Sequence, residues 1–340
     1  MKKKLGDIFD TTGHFRLKGL ITVLTPIVIG IFLYLVWPVE TKKNTEIIVS
    51  IKPLHSLVCA LTKGLTSPTL LLDGHFSPHH VQLVPSQVQT MQKAKSLIWI
   101  GPAYEQTLSK HVKGLKENVL AIQDSSSLKL KHLRNGTFWD NKSCCDHHHE
   151  HEGHNHYHEE NHEKTIIDGH IWLDPLMMVQ VVDVVLEHLK NLYPTHQKVL
   201  EQNAKAYKKR LEKLHKQLVK KMKPYKGSTY IIQHDGNQYF DNAYGVQTIA
   251  TISIDPNVPP SAGHILKIRQ AISRDEIHPK CLYAERQMDG ALARSYANTL
   301  KLSFAVLDYL GVDIPAGEDA YEALMQDYVA RFIAGIKGEI

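Results

Sequence analysis

Histidine is the residue type that stands out in this sequence, with 22 among 340 residues, and three of these histidines follow short apolar runs. His79, His170 and His234 each lie in a loop just after a predicted β-strand, and Asp308 follows a fourth such strand. A single histidine at a strand end usually makes a structural hydrogen bond. Three of them together with a carboxylate favour a metal site, because imidazole and carboxylate are ligands of borderline cations.

A second group of histidines lies in residues 142–164, where the composition changes abruptly. This segment has no aliphatic residue with which to build a core, so we expect a solvent-exposed loop. The loop either captures metal weakly and raises its local concentration, or senses abundant metal by becoming ordered, or is only a spacer. Its eight histidines are His147, His148, His149, His151, His154, His156, His158 and His162.

The elements that position the first four residues alternate between strand and helix. Residues 46–194 contain β-branched runs separated by amphipathic segments, which is typical of an α/β lobe with a mostly parallel sheet. Residues 195–222 show a long polar helical pattern that suits a connection between two lobes, and residues 226–340 repeat the alternation. Ligands of open parallel sheets bind beyond the carboxyl ends of the strands, so the sequence predicts a metal cleft between two α/β lobes.

The N-terminus predicts a membrane segment. Residues 1–18 are polar and basic, whereas residues 19–37 carry no charge and would extend ~28 Å as a helix, about the thickness of the hydrocarbon core. The basic flank places residue 1 in the cytoplasm and the bulk of the chain outside. A cleaved secretory signal is the alternative, although no small-x-small cleavage site follows the apolar run.

The charge balance argues against nucleic acid as a partner. The chain has 40 Lys and Arg residues against 35 Asp and Glu residues, a net charge of +5, and much of the excess precedes residue 45. A nucleic-acid-binding protein would concentrate basic residues on its folded part, and this balance does not indicate such a face.

Several motifs resemble the solute-binding proteins of zinc and manganese ABC importers, from about Ile47 to the C-terminus. In that family two α/β lobes are joined by a rigid helix, and the metal lies in the cleft between them. The resemblance implies the ligands His79, His170, His234 and Asp308, with His80 in place of a usual acidic residue. The motifs, in family order, are VSIKPLHSLV, SPHHVQLVPS, IWIGPAYE, DGHIWLDP, QHDGNQYF, CLYAERQ and LDYLG.

The third ligand position favours zinc over manganese. Manganese members of the family have a carboxylate there, whereas this sequence has His234. Three neutral imidazoles, with Asp308 or a water as the fourth ligand, suit tetrahedral Zn²⁺. The carboxylates that are candidates to accept hydrogen bonds from the imidazole N–H groups are Asp174, Asp235 and Glu285.

The resemblance therefore implies a zinc-binding protein of the periplasm that delivers Zn²⁺ to an ABC permease and its ATPase, and we expect a monomer. The apolar run 19–37 predicts attachment to the inner membrane, which departs from the usual cleaved or lipidated members of the family. The resemblance implies no enzymatic activity. A zinc hydrolase is the alternative from another class, because three protein ligands and an open fourth position also describe a catalytic site. A surface adhesin or a zinc buffer without a permease is a further alternative.

Overall fold

Two four-stranded sheets organise the protein, and every strand pair within each sheet is parallel. The computed structural model describes residues 46–113, 115, 118–134, 138–139, 167–253, 260–288 and 290–339. The N-terminal sheet has the order β2-β1-β3-β4 and the C-terminal sheet the order β6-β5-β7-β8. The prediction of two parallel α/β lobes is therefore confirmed.

The described elements follow one another in the alternation expected from the sequence. The N-terminal lobe contains β1 (Ile47–Ile51), α1 (Lys52–Leu61), β2 (Thr69–Leu72), α2 (Pro85–Lys93), β3 (Ser96–Trp99), α3 (Ser109–Val112), β4 (Val119–Ala121) and α4 (Pro175–Leu192). The long helix is α5 (Gln197–Met222). The C-terminal lobe contains β5 (Thr229–His234), α6 (Gln238–Tyr244), β6 (Gln247–Ser253), α7 (Ala262–Ser273), β7 (Cys281–Glu285), α8 (Gly290–Leu300), β8 (Ser303–Leu307) and α9 (Ala320–Lys337).

The strands β1 and β7 lie in the interior of their sheets because their sequences are largely apolar. All five residues of β1 are buried, as are the five of β7. Strands covered by helices on both faces read as unbroken β-branched or apolar runs, whereas edge strands tolerate polar residues. The parallel pairing brings the carboxyl ends of the strands in each sheet to one edge, where the predicted ligands lie.

Two helical segments differ from the sequence pattern. The apolar spacing over residues 104–115 predicts a helix, but the structure has turns there and only the short α3. Tyr104 and Leu108 are buried within these turns, so burial of their side chains outweighs helical periodicity. Conversely, α6 has seven residues, too few for an apolar period to be recognised in the sequence.

Helix α5 packs against both lobes and confirms the predicted connecting helix. It contacts α1 and α4 of the N-terminal lobe and α6 and α9 of the C-terminal lobe. The larger apolar cluster of the protein includes residues of both sheets, from Ile47 to Phe332, so the two lobes share one core. The buried side of the helix is formed by Leu200, Ala204, Tyr207, Leu211, Leu214, Leu218 and Met222.

A buried lysine provides a polar link between the lobes. Lys52, the first residue of α1, donates from Nζ to the carbonyl oxygen of Gly311 and, at 2.8 Å, to that of Ile314. Both carbonyls belong to the loop after β8. The carboxyl end of β1 is therefore fastened to the carboxyl end of β8 by charge-assisted hydrogen bonds.

Two predicted segments lie outside the described residues: the membrane segment 19–37, with its basic flank 1–18, and the histidine-rich segment 142–164. Among the helices of the described ranges, none combines the length and the hydropathy needed to cross a bilayer.

Candidate metal centre

Three loops at the carboxyl edges of the sheets position the predicted histidines. His79 lies in the irregular loop after β2, which is fastened where Thr107 Oγ1 donates to Val81 O at 2.6 Å. His170 immediately precedes a short 3₁₀ turn, Ile171–Leu173, and His234 is the last residue of β5. Two imidazoles thus come from the N-terminal lobe and one from the C-terminal lobe.

The three imidazoles converge on one point. One ring nitrogen from each of His79, His170 and His234 lies within 4.8 Å of the other two. The ring centroids are 5.4 Å apart for His79 and His170, 4.9 Å for His79 and His234, and 5.2 Å for His170 and His234. Three nitrogens bound to one zinc ion at 2.0–2.1 Å would lie about 3.4 Å apart, so a small inward movement completes a zinc-sized site.

Two of these nitrogens are buried without a protein partner. Nε2 of His79 and Nε2 of His170 are both enclosed and accept or donate no hydrogen bond to the described residues. A buried ring nitrogen without a partner is costly unless a ligand satisfies it. The donor set of three imidazoles therefore fits Zn²⁺, the cation for which neutral imidazole is a preferred ligand.

His170 is held from behind by a buried carboxylate. Nδ1 of His170 lies 2.8 Å from Oδ1 of Asp168, which also accepts the backbone N–H of His170 at 3.0 Å. The other oxygen of Asp168 accepts from Gln238 Nε2 at 3.1 Å. Burial alone would raise the pKa of Asp168, but its hydrogen bonds with His170 bring that pKa below its ordinary value. Asp168 therefore stays ionised and fixes Nδ1 as the protonated nitrogen, which leaves Nε2 to bind metal.

His234 faces a different kind of carboxylate. Nδ1 of His234 lies 3.4 Å from Oε2 of Glu285, the last residue of β7. Glu285 is 2% exposed, and neither of its oxygens has a hydrogen-bond partner. Burial lowers the pKa of His234, but the adjacent Glu285 carboxylate outweighs burial and raises it above the ordinary value.

Within the described ranges, no carboxylate forms a recorded contact with the ring of His79. Burial, with additional repulsion from His234, His170 and His80, holds the pKa of His79 well below its ordinary value. It is therefore neutral at physiological pH, the state that metal binding requires. The edge of Tyr104 packs against the His79 ring with centroids 4.6 Å apart.

Asp308, the other expected ligand, is not a member of the histidine group. Its Oδ1 accepts the backbone N–H groups of Leu310 and Gly311 at 3.1 and 2.8 Å, and Oδ2 accepts that of Val312 at 2.8 Å. Gln287 also donates to Oδ1, at 2.8 Å. Both oxygens are therefore engaged in shaping the loop after β8.

The neighbouring His80 is not a member of the group either. Its ring centroid is 6.2 Å from that of His79, so the structure selects the first histidine of the pair. The eight histidines of residues 142–164 lie outside the described residues, and their expected auxiliary role stays a prediction.

Of the three carboxylates expected beside the imidazoles, only Glu285 lies next to a ring nitrogen of the group. Asp235 instead forms an ion pair with Arg134, which also binds Asp241 at 3.0 Å. Asp174 accepts the backbone N–H of Leu176 and caps α4. Sequence reasoning missed Asp168, although its position two residues before His170 allows its carboxylate to reach back to the ring.

Two glycines, Gly169 and Gly236, lie in the closely packed region beside the imidazoles, where a side chain would collide with its neighbours. A Cβ at Gly236 would lie 2.9 Å from Nε2 of His170, and one at Gly169 would lie 2.5 Å from Cβ of Tyr104. Trp172 closes the wall behind His170, and its Nε1 donates to Tyr309 O at 2.9 Å. The three imidazoles therefore lie in closely packed surroundings, which favour an ion over a larger ligand.

Comparison with known proteins identifies the family of this chain. Residues 47–335 match the family described as ZnuA, zinc-uptake complex component A, periplasmic. The high-affinity zinc uptake system protein ZnuA of Brucella abortus (strain 2308) is 32% identical over 310 residues, which cover 83% of this chain and 88% of that protein. The protein of the same name from Yersinia pestis is 27% identical, covering 86% and 92%.

Solved structures show the same fold. A crystal structure of ZnuA superposes with a TM-score of 0.67 at 18% identity, covering 85% of this chain and 98% of that one. The laminin-binding protein Lmb of Streptococcus agalactiae has a TM-score of 0.65 at 18% identity, covering 85% and 98%. With a family match over nearly all of the described residues and a relative above 30% identity, the chain belongs to the ZnuA family of zinc-uptake complex components.

Proposed function

We propose that this protein is the high-affinity zinc-binding component of an ABC importer, which captures Zn²⁺ between its lobes and delivers it to a membrane permease with its ATPase. The observation that carries the proposal is the group of three converging imidazoles from both lobes. Its relatives of more than 30% identity are named zinc uptake proteins, which supports the same cargo.

The proposed ligands are His79, His170 and His234, with a water in the fourth position. Asp308 is assigned instead to the loop after β8, since its oxygens accept three backbone N–H groups. An imidazole rather than a carboxylate at position 234 favours zinc over the harder manganese ion.

A binding role is favoured over hydrolysis by the placement of the two nearest carboxylates. Asp168 and Glu285 both face the Nδ1 atoms of histidines rather than the point on which the ring nitrogens converge. A hydrolase needs a carboxylate that can take a proton from a metal-bound water. These two groups are better placed to orient ligands than to act as a general base.

We further propose that the protein works as a monomer in the periplasm, attached to the inner membrane by residues 19–37. A tether would keep the binding protein near its permease at high effective concentration. Residues 142–164 would supply an auxiliary, weaker zinc site from their eight histidines.

The test is zinc calorimetry on the soluble part of the chain. Asn44–Ile340 forms a compact unit of its own, so it can be expressed without the first 43 residues. We expect one tight zinc per chain, retained when residues 142–164 are removed. Triple substitution of His79, His170 and His234 by Ala should abolish tight binding.

The matched control replaces three exposed histidines elsewhere, His111, His196 and His278, by Ala and should bind zinc like the parent. Tight binding that survives the site substitutions, or disappears with residues 142–164, would refute the assignment. Zinc-limited growth of cells that lack the chain, with and without the site variant, tests delivery to the permease.

A further inference from the structure

The outer face of α5 carries a row of lysines, which we name the lysine row. Its members are all exposed, and none forms an ion pair with a residue in the described part of the chain. At 100° per residue they fall within an arc of about 80° along the helix. The row consists of Lys198, Lys205, Lys209, Lys213, Lys216 and Lys220.

Other basic residues of the same helix are used differently. Lys208 pairs with Asp183, and Arg210 pairs with Glu322 at 2.6 Å and with Asp319. These two side chains point toward the flanking helices α4 and α9 and fasten them. Lys208 and Arg210 therefore stabilise the fold through ion pairs, whereas the lysine row makes no such contribution within the described residues.

Repulsion within the lysine row would reduce the stability of α5 if no other interaction offset it. Like charges three or four positions apart repel each other, and surface helices normally relieve this with acidic residues in the same row. The acidic residues of α5 are Glu201 and Glu212, which lie at the edge of the row, four positions before Lys205 and Lys216. Two carboxylates beside six lysines relieve only part of the repulsion, and Glu201 also lies 3.3 Å from Lys190 of α4. The overall charge of +5 therefore conceals a concentrated basic face, which the sequence analysis did not anticipate.

The shape of the row suits an extended anionic surface. The 26 residues of α5 make a straight rod of about 39 Å, which both lobes hold from behind. Lysine is a flexible point charge, whereas recognition of a single carboxylate or phosphate usually employs the planar fork of arginine. Val199 and Val219, 38% and 41% exposed, add apolar contact near the two ends.

The chain enters the fold next to one end of this row. The Glu46 carboxylate accepts a hydrogen bond from the Tyr193 hydroxyl at 2.9 Å, and Tyr193 lies four positions before the first residue of α5. Eight residues, 38–45, lie between Trp37, the end of the uncharged run, and Glu46, so the two are nine Cα–Cα steps and at most about 32 Å apart. With the membrane attachment proposed for residues 19–37, on which this placement rests, the length of the linker limits how far the start of the lysine row can lie from the bilayer.

We propose that the lysine row of α5 binds the anionic phospholipid headgroups of the membrane to which the chain is tethered. In this contact the axis of α5 would be parallel to the membrane surface, and the two lobes would be at equal distances from it. This inference goes beyond the zinc-binding function and uses none of its ligands. Each lysine that approaches an anionic surface strengthens binding by about fivefold, so four or more suffice for a stable contact.

The test is sedimentation of Asn44–Ile340 with lipid vesicles, so that the anchor contributes nothing. We expect binding to vesicles that contain phosphatidylglycerol but not to vesicles of phosphatidylcholine alone, and weaker binding as salt rises. Removing four charges from the row should weaken binding by about 600-fold, which is about fivefold for each lysine. This row variant carries Lys205→Gln, Lys209→Gln, Lys213→Gln and Lys216→Gln.

The matched control removes the same charge from other exposed lysines and should bind vesicles nearly as well as the parent. It carries Lys93→Gln, Lys110→Gln, Lys129→Gln and Lys267→Gln. An equal loss of vesicle binding in the row variant and the control variant would overturn the inference. So would a parent protein that does not bind phosphatidylglycerol vesicles, which is the result expected if the row binds an acidic protein instead. Glutamine is a good helix former, and zinc calorimetry on the same samples tests the metal site separately.

Discussion

The two lobes hold their histidines in different ways. In the N-terminal lobe His170 is locked to Asp168 at 2.8 Å, and both oxygens of that carboxylate have hydrogen-bond partners. In the C-terminal lobe His234 is 3.4 Å from Glu285, whose oxygens have none. The difference indicates that the N-terminal half of the site is preorganised, whereas the C-terminal half is completed as the metal draws His234 and Glu285 into place.

The largest effect should come from the preorganised half. Asp168→Ala removes the acceptor that fixes the tautomer of His170, and loss of such a partner typically costs 10–100-fold in metal affinity. We expect about a hundredfold weaker zinc binding, measured by competition with a chelator. Asp124→Ala, an exposed acid of the same lobe, is the control and should leave the affinity unchanged.

Glu285→Gln should have a smaller effect, because the contact to His234 is longer and less well defined. We expect about tenfold weaker zinc binding in the same chelator assay. Glutamine keeps the size of the side chain, so the change isolates the charge. A loss larger than that of Asp168→Ala would reverse the proposed difference between the lobes.

The pH dependence of zinc affinity should report the same contrast. Zinc binds the neutral imidazole, and the raised pKa of His234 means that protons compete as pH falls through a value above 6.5. His79, whose pKa is well below 6.5, adds no competition in that range. Affinity should therefore decline from near neutral pH downward, by a few-fold over the first unit.

Glu285→Gln removes the carboxylate that raises this pKa, leaving burial to lower it. The variant should bind zinc with nearly constant affinity across the range in which the parent loses it. Calorimetry at closely spaced pH values distinguishes the two profiles; parallel profiles would argue that Glu285 does not interact with His234.

The smallest effect on zinc should come from Asp308→Ala, because this carboxylate holds a loop rather than the metal. Three backbone N–H groups lose a buried acceptor, so the free energy of unfolding should fall by about 2 kcal/mol. Urea denaturation measures this change. A large loss of zinc affinity without loss of stability would restore Asp308 as a ligand.

Much of the architecture was predictable because the strands are short segments rich in β-branched and other apolar residues, separated by amphipathic helices. The expected alternation of strands and helices is present in both lobes, and the three histidines expected after strands do converge. Spacing alone cannot show which groups a carboxylate contacts, so the sequence indicated neither the backbone N–H groups that Asp308 accepts nor the contact of Asp168 with His170. These contacts depend on the local path of the loops, which tertiary packing determines.

The loop that carries His79 has a consequence for how fast zinc leaves. His170 and His234 sit against a 3₁₀ turn and a strand end, whereas His79 lies in an irregular segment fastened by the hydrogen bond from Thr107 to Val81. Because the lobes share one core, wide separation would expose apolar surface, and the first bond to break should be the one to His79. We therefore expect the opening rate of this loop to determine how long zinc stays bound. The rate of zinc transfer would then depend on the dissociation rate constant more than on the equilibrium affinity.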